Sequence, residues 1–177
     1  MGTEKKETLE AVVRKNLNRD ASGRRDLCTI YRNKEELDAL VDYLAEPYQG
    51  KVDYVLAPEP LGFILGGMLA DRLKVGFIPI RNGNVAILDE NDRIRALYID
   101  HSDRSRSLQI RKSNLPEGSR VLLADDWIET AATMQACLTI IEEAECSIAG
   151  IVSFGAEKNP ATGEMIENGQ IRSVLVR

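Results

Sequence analysis

Apolar positions along this chain recur with two different periods. Residues 4–17 place Leu9, Val12, Val13 and Leu17 on one side, the spacing of a helix. Residues 34–48 repeat it through Leu37, Leu40, Val41 and Leu44. Between them "NRDASGRRD" (18–26) is polar and reads as a loop. Further along, apolar residues gather in short unbroken blocks: "VDYVLAP" (52–58), "VGFIPI" (75–80), "SRVLLADD" (119–126) and "IAGIVSF" (148–154). Blocks of this kind suit strands covered on both faces. "LGFILGGMLADRL" (61–73) predicts a helix with small residues for close packing, and Thr133–Glu145 predicts another. Residues 82–105 are polar and predict an irregular segment. "SLQIRK" (107–112) reads as a strand running into the "PEG" turn at 116–118, and "IRSVLVR" at the end as an edge strand.

Strands alternating with helices imply right-handed crossovers and an α/β fold, with a mainly parallel central sheet flanked by helices. Ligands in such sheets gather at the carboxyl ends of the strands. The loops at 57–62 and 125–133 both leave the sheet at that edge. With 177 residues and no linker or repeat, the chain is expected to form one domain: an N-terminal helical part (1–50), a core (51–155) and a C-terminal edge (156–177).

The charge balance narrows the partners. A formal net charge of −5 argues against a general nucleic-acid binder, which needs a basic face. No apolar run approaches the ~20 residues of a membrane span. The charged start "MGTEKKETLE" lacks a signal core. The cysteines at 28, 137 and 146 form no CxxC pair, so neither a zinc site nor a disulfide framework is expected. A reduced, cytoplasmic protein is expected.

One segment carries the chemistry: "RVLLADDWIETAATM" (120–134). Asp125 and Asp126 stand at the end of a buried strand, where successive side chains diverge to opposite faces. Ionised carboxylates only accept hydrogen bonds, so a close pair suits a vicinal diol or a divalent cation. The following "ETAAT" offers backbone N–H groups at a helix start, with Thr130 and Thr133 adding hydroxyls. Such donors suit a phosphate. Together they describe a cradle for a ribose 5-phosphate. An equally simple reading is that Asp126 to Thr130 merely cap the helix. Trp127 fills space beneath the helix start or shields the site. His101, the only histidine, is incidental or a loop base, and Cys137 a small core residue.

The apolar strand, two acids and a small-residue loop ending in threonine resemble the phosphoribosyl pyrophosphate motif of type I phosphoribosyltransferases. A second stretch, "VDYVLAPEPLGFILGGMLADRLKVGFIPIRNG" (52–83), is similar to the adenine-type branch, and "GRRDLCTIY" (23–31) echoes its segment over the base. The resemblance implies a Rossmann-like core with a flexible loop over the site. It implies transfer of ribose 5-phosphate from phosphoribosyl pyrophosphate to a purine-type nitrogenous base, with magnesium, and a homodimer. By that similarity Asp125 and Asp126 hold the ribose hydroxyls, and Glu129, Thr130, Ala131, Ala132 and Thr133 wrap the 5-phosphate. Glu59, Pro60, Leu61, Gly62 and Arg81 border the pyrophosphate, and Arg24, Arg25 and Asp26 the base. No direct side-chain metal ligand is assigned.

The chain departs from that pattern. The family's pyrophosphate-loop arginine is Leu61 here, its lysine after the strand arginine is Asn82, and its phosphate-loop glycine pair is Ala131-Ala132. Arg24 stands where an aromatic is expected over the base, and Asp100-His101 fall where the flexible loop has its usual motif. Arginines 93, 95, 104 and 106 are candidates to replace the missing cations, or an ordinary solvated surface. Because the family commonly has a cis bond at the pyrophosphate loop, Glu59–Pro60 is expected to be cis; a trans proline ending the strand is the alternative. Two other functions stay open: a non-catalytic sensor of phosphoribosyl pyrophosphate or a nucleotide, and a transferase for another nucleophile.

Overall fold

The short apolar blocks become the strands of one seven-stranded sheet in the computed structural model. It describes all residues except Met1, Asp20, Ser22, Arg24, 84–88 and 100–103, and the side chains of Gly2 and Thr3. In chain order the elements are α1 (Gly2–Asn16), β1 (Asn18–Arg19), β2 (Arg25–Asp26), α2 (Lys34–Ala45), β3 (Tyr54–Pro58), α3 (Gly62–Leu73), β4 (Gly76–Asn82), β5 (Arg93–Ile99), β6 (Ser105–Arg111), β7 (Arg120–Ile128), α4 (Ala132–Glu143), β8 (Ser147–Ala156), α5 (Gly163–Glu167) and β9 (Ile171–Val176).

The sheet order is β5-β6-β4-β3-β7-β8-β9. From β4 to β9 every pair is parallel, and β6 and β5 join antiparallel at one edge. Apolar side chains form a core on each face. Leu9, Val13, Leu40 and Leu44 of the N-terminal helices and Leu65 and Leu69 of α3 pack on one face, and Met134, Cys137 and Ile140 of α4 on the other. The small residues of α3 have the expected purpose: a β-carbon at Gly66 would stand 2.7 Å from that of Ala57. Only glycine lets helix and strand approach so closely.

Four expectations from sequence need correction. Residues 82–105 are not irregular throughout: Arg93–Ile99 pairs with Ser105–Arg111 as a hairpin. Ile94 and Ala96 alternate inward, but exposed Leu97 and Ile99 break the apolar-polar alternation that marks a half-buried strand. The 18–26 loop contains a small pairing of Asn18 with Asp26 and Arg19 with Arg25. The helix expected over 34–48 is α-helical only to Ala45, and Glu46–Tyr48 tighten into a 3₁₀ turn around Pro47. Strand β7 runs through Trp127 to Ile128, two residues past the acids. The acids therefore sit within the strand, still paired with β8 through Asp125 and Ser153.

Candidate active site

At the carboxyl ends of β3 and β7 two loops face each other across a cavity of about 670 Å³. The first follows Pro58. Its Glu59–Pro60 bond is cis, as expected. The Glu59 carboxylate accepts the Asn82 N–H at 3.1 Å and Arg81 Nε at 3.1 Å. The Asn82 N–H foremost, and then Arg81, hold that carboxyl below its ordinary range. Gly62 closes the loop against the second wall. A β-carbon there would lie 3.2 Å from Oδ1 of Asp125, so glycine lets the loop rest beside the acid pair.

The second wall begins with that pair. The Asp126 N–H donates to Oδ1 of Asp125 at 2.9 Å. The two carboxyls also share a hydrogen bond, so the side chains remain neighbours rather than diverging as the strand alternation predicts. Both touch the cavity, yet packing around them is dense. Burial, the Asp126 charge and a carboxyl–carboxyl hydrogen bond push Asp125 well above the usual carboxylate range. Burial also raises Asp126. The same burial, with the nearby Asp126 charge, raises the Tyr31 phenol beneath them.

Beyond Ile128 the chain bends through Glu129, Thr130 and Ala131 into α4. Ala131 takes a left-handed conformation, φ 60°, where the family pattern has glycine. Among the described residues no side chain caps α4. The capping alternative raised by the sequence is therefore not what this segment does, and the first N–H groups of the helix remain available. All of Glu129, Thr130, Ala131, Ala132 and Thr133 line the cavity, as do Asp125, Asp126, Glu59, Pro60, Leu61 and Gly62.

The residues expected at the base end lie in different places. Arg25 lines the cavity, but Arg24 lies outside the described residues. Asp26 does not line it; its Oδ1 accepts the Cys28 N–H at 2.8 Å, a local turn bond. Arg81 pairs with the cavity-lining Glu59 and does not itself line the wall. Asp100 and His101 lie outside the described residues. Trp127, expected to fill space beneath the helix start or to shield the site, lies within β7, is nearly buried and forms part of the cavity wall. The Arg25 guanidinium sits over its ring, 5.7 Å from the centroid, and pairs with Glu157 at 2.6 Å.

Glu157 was not foreseen. It opens a turn that supports two parts of the cavity wall. Its side chain holds Arg25, and two residues on, Asn159 Nδ2 donates to the Glu129 carbonyl at 2.7 Å. Thr162 ties the turn together by donating to the Glu157 carbonyl. Nothing in the local pattern around "EKNPAT" signals this support, because its partners are remote in sequence, Arg25 by 132 residues and Glu129 by 30. The hairpin contributes a further wall, including Tyr98 and Ser107; of the arginines considered as replacement cations, Arg95 and Arg106 line the cavity.

An acid pair, an uncapped helix start and a facing turn define a phosphoribosyltransferase class of site. The model of the phosphoribosyl transferase domain matches residues 28–174, and the chain belongs to that family. Among its relatives is the adenine phosphoribosyltransferase of Rhodopirellula baltica, 34% identical over 140 residues, with 75% of this chain and 66% of that protein covered. That of Trichodesmium erythraeum is 35% identical, covering 71% of this chain and 72% of the relative. In fold, the chain resembles the adenine phosphoribosyltransferase of Rhodothermus marinus with a TM-score of 0.83 at 23% identity, over 97% of this chain and 99% of that one. The Saccharomyces cerevisiae enzyme, solved with an imino-altritol bisphosphate and adenine, gives 0.80 at 24%, over 96% and 99%.

Proposed function

We propose that this protein transfers ribose 5-phosphate from phosphoribosyl pyrophosphate to a purine-type base, adenine foremost, releasing pyrophosphate. One observation carries the reading: the uncapped first turn of α4 opens beside the Asp125–Asp126 pair in the same cavity. The N–H groups of that turn and the hydroxyls of Thr130 and Thr133 take the 5-phosphate. Asp125 and Asp126 accept the ribose hydroxyls. As the bond from the sugar to pyrophosphate breaks, positive charge grows on the ring, and the two acids stabilise it. Glu59 to Gly62 border the leaving group. Arg25 and Trp127 form the wall at the base end, which agrees with the adenine activity named for the relatives.

Magnesium fits this donor set as an ion that arrives with its substrate. It prefers phosphate oxygens, water and few carboxylates. Among the described residues no group of three or more potential metal ligands exists. Asp125 and Asp126 would face its water shell, and the ion would offset charge on the pyrophosphate. The family resemblance also supports a homodimer, which light scattering measures, and a cytoplasmic place. No helix among the described residues is long and apolar enough to cross a membrane.

The test combines turnover and binding. Incubation with phosphoribosyl pyrophosphate, magnesium and a panel of bases is expected to release pyrophosphate with adenine. Asp125→Asn with Asp126→Asn is expected to abolish phosphoribosyl pyrophosphate binding; retained affinity removes the diol assignment. Leu61, which leaves the loop without a cation, favours a second reading as a sensor. Tight binding with no turnover across the panel would establish that reading instead.

A further inference from the structure

Three arginines among the described residues reach the cavity wall, and their charges are not equivalent. Arg25 is neutralised by Glu157. Just behind the wall, Arg81 is neutralised by Glu59. Arg95 differs. Its Nη2 donates to Oγ of Ser107 at 2.9 Å, and among the described residues no carboxylate pairs with it. A hydroxyl anchors a guanidinium without cancelling its charge.

The surroundings fit that anchor. A β-carbon at Gly83 would stand 1.7 Å from Ser107 Oγ, so only glycine leaves room for the hydroxyl. The Gly83 N–H also donates to the Ser107 carbonyl at 2.8 Å, fixing the strand that carries it. In the sheet, Arg81 and Arg95 both lie opposite Gln109, level across three strands. Arg95 therefore stands at the end of the cavity formed by the 59–62 loop, which the Asn82 N–H ties to the same strand end. Arg106 lies opposite Tyr98, three pairs nearer the hairpin tip.

We propose that Arg95, positioned by Ser107 in the space left by Gly83, is the residue that binds the leaving pyrophosphate in this chain, in place of the charge absent at Leu61. This rests on the transfer reading above and gives it a residue outside the family's pattern. An arginine fork matches phosphate oxygens two at a time, and such charge-assisted bonds are the strong ones. Ser107 is a positioning residue: it acts only through Arg95.

The experiment measures binding of magnesium pyrophosphate by calorimetry, and kcat with separate KM values for phosphoribosyl pyrophosphate and adenine. Arg95→Ala is expected to weaken pyrophosphate ~10–100-fold, the range of a lost charged hydrogen bond. It should raise the KM for phosphoribosyl pyrophosphate while the KM for adenine stays within about twofold. Ser107→Ala should give a smaller loss of the same kind. Adding Leu61→Arg to Arg95→Ala should recover much of the affinity, a result that general loss of structure would not produce. If the wild-type protein binds phosphoribosyl pyrophosphate and Arg95→Ala binds pyrophosphate equally well, this assignment is overturned and the transfer reading stands. If the wild-type protein binds neither compound, both are overturned.

Discussion

Trp127 lies directly across Gly155, its partner in the β7–β8 ladder. A β-carbon at position 155 would fall 2.0 Å from the indole ring. Gly155→Ala therefore has to displace the ring that carries Arg25. Overpacking of this kind costs ~1–3 kcal/mol. In a domain of this size that lowers Tm by ~2–4 °C per kcal/mol. Trp127 is the only tryptophan, so its fluorescence reports the displacement directly. An unchanged emission spectrum and Tm would show that the ring is not seated on this glycine.

Ala131 pays for its left-handed backbone. The conformation costs a non-glycine residue ~1–2 kcal/mol. Replacing it by glycine enlarges the freedom of the unfolded chain, which takes back ~0.4–1 kcal/mol. The first effect is the larger, so Ala131→Gly is expected to stabilise by about 0.5–1 kcal/mol, seen as a higher urea midpoint. A lower midpoint would mean that the bend is not strained.

Asp125 should oppose folding at neutral pH. Its folded proton affinity is raised by burial above that of the unfolded chain. Such a group contributes stability that is complete below the unfolded value, about 3.9, and is lost as pH rises through the higher folded value. Asp125→Asn removes this dependence. Its Tm is expected to exceed wild type at pH 7, a difference that shrinks to nothing near pH 4. Denaturation series between pH 4 and 8 check the sign; an advantage that grows on acidification would refute it.

Glu157→Gln leaves the Arg25 guanidinium, which is only 12% exposed, without its counter-charge. The expected cost is ~1–3 kcal/mol of stability, as for other unsatisfied partly buried charges. In kinetics, the KM for adenine should rise while that for phosphoribosyl pyrophosphate changes less. Equal effects on both would place Arg25 outside the base end.

Much of this was legible in the chain itself. The buried strands announce themselves as unbroken apolar blocks, and adjacent acids in one of them mark the sheet edge where ligands gather. The hairpin was hidden because its outward face carries Leu97 and Ile99, so no clean alternation separates it from a loop. The support from Glu157 and Asn159 was hidden because hydrogen bonds to Arg25 and the Glu129 carbonyl are tertiary and leave no periodic trace. The pairings of Arg81 and Asp26 were hidden too, because sequence gives a residue's neighbours along the chain. It does not say that Glu59 pairs with the first, or that the second bonds the Cys28 amide.

The turn from Glu157 to Thr162 grips Arg25 with one residue and the Glu129 carbonyl with another. Two parts of one cleft wall thus lean on a single brace. A ligand that steadies either part steadies the brace, and the second ligand meets a wall already stilled. Adenine and the sugar phosphate are therefore expected to help each other bind, and Asn159→Ala to weaken that synergy. Calorimetric titration of each with and without the other measures it, and identical affinities would show that the brace does not communicate.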